Sequence, residues 1–292
     1  MKDAQKPDHA SLATIVNWLR EGRFVIPDFQ REFEWKPWDI RELMRSIFLD
    51  YYIGSLLLWK SKPENFAALS CQEVYGYHGS DRPDYIVLDG QQRLTAIYHA
   101  FFAPDKPLPN RQNRFFYFLY VDKFMAEQYD EAFGYEWVKG RWAKLLADKE
   151  EQYACHLFPL SVISSRPRDL FNWVQDYESY WKAQADKAEA AGDASNAKLA
   201  RAHARNCNTF GDYLESIINQ YQIAYIELDK DLQVDKVCDI FTQINSRGVR
   251  LDVFDLVNAL LVPKGLKLKH MWWEAAPRLD EVETEKMMSL SG

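Results

Sequence analysis

The sequence is poor in the groups that most often betray a reaction. It holds four cysteines in 292 residues, Cys71, Cys155, Cys207 and Cys238. None forms a C-x-x-C pair or stands at zinc spacing from a histidine, so reduced thiols are expected rather than a metal knot or a disulfide framework. The six histidines, His9, His78, His99, His156, His203 and His270, never cluster. That excludes an H-E-x-x-H helix and a His-Asn-His nuclease box within these residues. There is no G-x-x-x-x-G-K-S/T loop and no Gly-x-Ser-x-Gly elbow, which removes the P-loop and the α/β-hydrolase nucleophile. No apolar run is long enough to span a bilayer. Residues 1–7 lack the apolar core of a signal peptide, so export is not expected and a cytoplasmic location is. No internal repeat is visible. Positive charge is also short: 36 Lys and Arg face 43 Asp and Glu, for a net charge of −7. A surface that held nucleic acid by phosphates alone would carry a basic excess.

What is present fits a globular chain with a substantial core. Hydrophobic residues make up 47% and charged residues 27%, the balance of an ordinary folded protein. The length suits one large domain or two modest ones. Aromatics reach 15%, with ten tryptophans. Some could stack on bases, but such rings more often fill cores.

Hydrophobic periodicity orders the chain. Residues 12–20 read as a helix capped by Ser11, with Leu12, Ile15, Val16 and Leu19 on one face. Residues 23–27 are extended ahead of Pro27, and 28–35 read as an ordered loop. A helix follows from Lys36, with Pro37 in its first turn and a stripe of Ile40, Leu43, Met44, Ile47 and Phe48. Residues 55–59 suit a buried strand. Residues 61–84 read as a loop or ragged hairpin, 85–88 as a strand and 91–102 as a helix. Residues 115–121 are the most strand-like run. From about 168 to 222 the chain is mainly helical, with an alanine-rich charged middle that suggests an exposed helical hairpin. A strand at 223–228, a helix at 234–244 and another at 252–261 follow. The stretch 275–280 reads as the start of more helix, so a larger protein is expected to continue past residue 292.

Three polar constellations stand at element boundaries. The central one is Asp89-Gly90-Gln91-Gln92-Arg93, where an apolar strand meets a helix. The first N–H groups of a helix lack partners and carry partial positive charge, which makes this an anion-friendly turn. Gly90 lets a phosphate approach the backbone. Arg93 can add a forked grip. Asp89 would need a metal ion or a proton between itself and a phosphate. The plainer reading makes Asp89 an N-cap and Arg93 a surface charge. The second constellation is Pro27-Asp28-Phe29-Gln30-Arg31, whose polar groups serve either a pocket or the scaffold. The third is Asn245-Ser246-Arg247-Gly248, either a pocket wall or a helix end. Together they hold what phosphoryl transfer needs: arginines for phosphates, a carboxylate for a metal or water, and amides to orient a water.

These pieces, in this order, resemble the N-terminal domain of GmrSD-type, modification-dependent (type IV) restriction systems. The resemblance is carried by Ile26–Trp35, by Ser46-Ile47 through Ser55, by Leu88–Ile97, and by Phe241–Val249 with Leu251. It implies an α+β fold, a ParB/sulfiredoxin-like mixed core over residues 1–160 with a mainly helical region over 161–292. It implies an NTP-binding and hydrolysing domain that responds to modified DNA and controls a His-Asn-His-type nuclease domain or subunit. By the same resemblance Asp89, Gln91, Gln92 and Arg93 are the expected catalytic group, with Asp89 also holding Mg²⁺. Gln30, Arg31, Gly90, Asn245 and Arg247 are the expected nucleotide contacts. The roles of Gln91 and Gln92 divide between nucleotide contact and holding neighbouring loops. Homo-oligomerisation stays open. The competing expectations are a nucleotide switch without hydrolysis and a reader of modified DNA without NTPase activity.

Overall fold

A computed structural model describes residues 7–79 and 83–245, side chains excepted at Pro167 and 242–245. Strand β1 (Asp8–Ser11) leads into α1 (Leu12–Arg20), β2 (Phe24–Ile26), α2 (Pro37–Phe48), β3 (Leu56–Lys60), α3 (Pro63–Ala68), β4 (Gln72–Glu73), β5 (Tyr85–Asp89) and α4 (Gln91–Phe102). Next come β6 (Phe115–Tyr120), α5 (Val121–Met125), α6 (Tyr129–Ala132), β7 (Phe133–Trp137), α7 (Arg141–Ala147), α8 (Lys149–Ala154) and β8 (Leu157–Pro159). A 3₁₀ turn at Leu160–Val162 precedes α9 (Pro167–Ala190), α10 (Ala194–Gln220), β9 (Gln222–Leu228) and α11 (Val234–Asn245). The architecture is α+β, as the sequence leads one to expect.

The larger sheet has six strands in the order β1-β9-β3-β5-β2-β4. Its two central pairs differ in sense: β3 runs parallel to β9 and antiparallel to β5. Both β3 and β5 are apolar without alternation because both of their faces are covered. On one face Leu56, Leu58, Tyr85 and Val87 join the main core with residues of α1, α2 and α4. On the other, Leu57, Trp59, Ile86 and Leu88 pack with Phe29, Leu69, Val237 and Phe241. So α11 closes the second face of the sheet. The returning strand β9 lies inside this sheet, paired with β1 and β3.

Local chemistry explains the helix boundaries. The Ser11 hydroxyl accepts the amide of Thr14 at 3.2 Å, capping α1. Pro37 opens α2, and the Lys36 amide donates to Asp39 Oδ2 at 2.8 Å. The hairpin of α9 and α10 is close-packed through Ala185, Ala197, Ala200 and Ala204, all buried, while its charges face water. Residues 61–84, expected to be irregular, contain the short α3 and the two-residue β4. Pro63 at the first helical position sets α3, and β4 forms because Val25 and Ile26 offer it a sheet edge. A second, three-stranded antiparallel sheet, β7-β6-β8, lies within residues 115–159. The helix expected at 252–261 and the stretch at 275–280 lie outside the described residues.

Candidate phosphate-binding turn

The C-terminal end of β5 and the first turn of α4 form the centre of the candidate site. Gly90 is the residue between them, with a left-handed φ of 98°. A Cβ there would collide with Leu56 Cδ2, so this position needs glycine for both backbone and space. No side chain caps α4, and its first turn holds no acidic residue. The helix therefore presents its N-terminal amides and partial positive charge without a built-in anion.

Arg93 reaches back over this turn. Its Nη1 donates to the Ile53 carbonyl at 2.9 Å and its Nη2 to Asp89 Oδ2 at 3.0 Å. The arginine side chain is 18% exposed and the aspartate 45%. Arg93 is thus held from two sides, yet a guanidinium has five N–H donors and keeps others for a ligand. Asp89 is an ion-pair partner rather than an N-cap. The Ile53 carbonyl is a contact that the sequence did not single out. Its signal was Gly54, where a Cβ would collide with Arg93 Nη1 and where φ is +88°.

The first constellation folds around the same turn. Gln30 Nε2 donates to the Val87 carbonyl and, at 3.0 Å, to that of Leu88, just before Asp89. Gln92 is buried, and its two ends clamp the preceding loop. Its Oε1 accepts the Glu34 amide and its Nε2 donates to the Glu32 carbonyl, each at 3.0 Å. Gln91 makes no side-chain hydrogen bond among the described residues and is part exposed. Arg31 meets Glu34 Oε2 at 3.3 Å in a largely solvent-exposed pair, the kind that is worth little and yields readily to a ligand.

The third constellation is approached but not described. Phe241 of α11 packs on Phe29, ring centroids 5.1 Å apart. Phe29 precedes Gln30, and Phe241 stands four residues before Asn245. The side chain of Asn245 and all of Arg247 lie outside the described residues. The first two constellations are therefore held together by bonds from Gln30 to the end of β5 and from Gln92 to the loop just after Arg31, and α11 is packed against the first.

Behind the turn, His99 of α4 is buried, its Nε2 bonded to the Tyr75 carbonyl at 3.0 Å. Burial is the main cause that lowers its pKa to about 4, with Lys106 adding to the effect. The ring lies parallel to Phe33, whose flanking residues Gln92 clamps. Among the described residues, no group of three or more His, Cys, Asp or Glu could hold a metal ion. No described helix is long and apolar enough to cross a membrane.

Comparison with known families puts this chain in a restriction-system family. Residues 12–262 match the family described as the GmrSD restriction endonuclease, N-terminal domain. The chain belongs to that family. It is also 25% identical over 281 residues to an uncharacterized protein of Methanocaldococcus jannaschii. That alignment covers 92% of this chain and 44% of the relative, so the chain spans less than half the length of the curated relative it matches.

Proposed function

We propose that this chain is an NTP-binding and hydrolysing sensor that controls a nuclease domain or subunit of a modification-dependent restriction system. The observation that carries the reading is Arg93. It is fixed over an uncapped, glycine-opened helix N-terminus, with a half-exposed carboxylate as its partner. In this reading the phosphates meet the amides at the start of α4. Arg93 exchanges Asp89 for the transferring phosphoryl group, where its charge counts most in the transition state. Asp89, released, orients the attacking water or holds a metal.

The residues fit a Mg²⁺ ion that arrives with the nucleotide rather than one held in a protein cage. Mg²⁺ is commonly bound by one or two carboxylates plus substrate phosphates and water, and Asp89 supplies one such carboxylate. When bound, the ion would neutralise charge on the phosphate oxygens. Gln91, without a side-chain hydrogen bond among the described residues, contacts nucleotide or water. Gln30 and Gln92 are positioning residues that hold the loop against the turn. Arg31 is a further phosphate contact. Asn245 and Arg247 are further nucleotide contacts in this reading. Modified DNA is the activating signal, a His-Asn-His-type nuclease the output, and the cytoplasm the place where both meet. Homo-oligomerisation remains compatible with this scheme.

A second reading, a nucleotide switch without hydrolysis, draws on the Asp89–Arg93 pair itself, because an aspartate so engaged is not poised as a base. Phosphate release across the four NTPs, with and without modified phage DNA, separates the two. Turnover that Arg93→Ala abolishes in a folded protein supports the sensor. Nucleotide binding without phosphate release under every condition supports the switch. Unchanged hydrolysis in Arg93→Ala would overturn the assignment of the site.

A further inference from the structure

Tyr51 and Tyr52 lie in the segment between α2 and β3, two and one residues from the carbonyl that Arg93 grips. The two residues are 59% and 76% exposed. They are the only adjacent pair among the large exposed hydrophobic residues described. Neither ring stacks on another aromatic side chain or accepts a cation among the described residues.

The backbone beneath them is held tightly. The Phe48 carbonyl accepts the Tyr213 hydroxyl, the Tyr51 carbonyl accepts the Tyr221 hydroxyl at 2.7 Å, and the Ile53 carbonyl accepts Arg93. The Tyr51 amide donates to the Ser46 carbonyl at 2.8 Å. Two residues sit in left-handed conformations, Asp50 at φ 57° and Gly54 at φ 88°. Asp50 is not a glycine, and aspartate adopts this conformation at a smaller cost than most side chains. A fixed backbone under exposed aromatic rings lowers the ordering cost of a stacking ligand.

We infer that Tyr51 and Tyr52 form a nucleobase platform at the rim of the candidate phosphate turn. This rests on the nucleotide reading of that turn and adds the part of the ligand that the turn leaves unbound. The base lies on the tyrosine rings while the phosphates reach the α4 N-terminus. One clamp, the Ile53 carbonyl on Arg93, joins the two halves, so occupancy of the platform steadies the arginine that grips phosphate. Stacking accepts any base because every base has a π-face. The site is therefore selective for nucleotides over bare polyphosphate but not among bases.

The test compares binding of ATP, GTP, CTP, UTP and inorganic tripolyphosphate to the full chain by calorimetry. The proteins are wild type, Tyr51→Ala/Tyr52→Ala and Tyr51→Phe/Tyr52→Phe, with thermal melts to check folding. Stacking on an aromatic ring is worth about 5- to 100-fold in affinity. Wild type is expected to bind all four NTPs that much more tightly than tripolyphosphate. The double alanine variant loses this margin with tripolyphosphate binding unchanged, and the double phenylalanine variant restores it. An NTP margin that survives in the alanine variant overturns the platform and leaves the phosphate turn standing. A wild type that binds neither NTP nor tripolyphosphate overturns both. If the alanine variant does not fold, a wild type that binds NTP no better than tripolyphosphate still overturns the platform, and a lost margin in Tyr52→Ala alone still supports it.

Discussion

The Arg93 guanidinium fills the space that a Cβ on Gly54 would occupy. Gly54 therefore acts on the site without touching a ligand. Gly54→Ala is expected to displace Arg93 and to strain a backbone at φ +88°. The strain lowers stability by about 1–2 kcal/mol. Removing a phosphoryl-stabilising arginine lowers turnover about 10³–10⁵-fold, and Gly54→Ala should approach the loss seen in Arg93→Ala. Phosphate release measured beside circular dichroism checks it. A folded Gly54→Ala protein with normal turnover would remove Arg93 from the reaction.

The neighbouring glutamines should separate cleanly. Gln92 is buried, with both ends bonded to the loop at Glu32 and Glu34. Gln92→Ala leaves an amide and a carbonyl short of partners, a loss of about 2 kcal/mol in urea denaturation. Gln91→Ala breaks no side-chain hydrogen bond among the described residues, so its denaturation midpoint should match wild type while its turnover or nucleotide affinity falls. The reverse pattern would assign the two side chains the other way round.

The outline of the site was legible in the sequence because strand, glycine and helix succeed one another without a gap at Asp89–Arg93. Period and capping chemistry likewise marked α1, α2, α4 and α11. Other features were not local. The ion pair of Asp89 depends on a strand residue facing a helix residue across Gly90, and the Ile53 carbonyl carries no side-chain signature at all. Gln30 and Gln92 could be read either as pocket groups or as groups that hold loops, because amides advertise only that they need partners, not which ones. The second sheet was harder to see because β8 is three residues long, and β7, though Phe133, Tyr135 and Trp137 alternate with Gly134 and Glu136, spans only five residues. They exist as strands because β6 pairs with both.

Phe241 ties α11 to the first constellation. It is buried against Phe29, with centroids 5.1 Å apart. Truncating a buried phenylalanine costs about 3–5 kcal/mol. Phe241→Ala should show that loss in denaturant, and Phe241→Leu a smaller one. Should Asn245 and Arg247 reach the nucleotide, Phe241→Leu will also weaken NTP binding while remaining folded. A leucine variant with wild-type affinity would separate α11 from the pocket.

Acid should weaken the fold through His99. Burial lowers its folded pKa from 6.5 to about 4. Between those values the unfolded chain takes up a proton that the folded chain refuses, so stability falls as pH drops through that window. From pH 7 to pH 5 the loss is about 2 kcal/mol. Burial lowers His156 to about 4 and lowers His203 as well, so the wild-type slope contains all three residues, and His99→Gln should remove only the share of His99. The site has a stake in this share. His99 holds the Tyr75 carbonyl and lies flat against Phe33, the residue between the two that Gln92 clamps. Urea midpoints at pH 7 and pH 5 should therefore converge in His99→Gln relative to wild type. An equal acid sensitivity in both proteins would place the titrating group elsewhere.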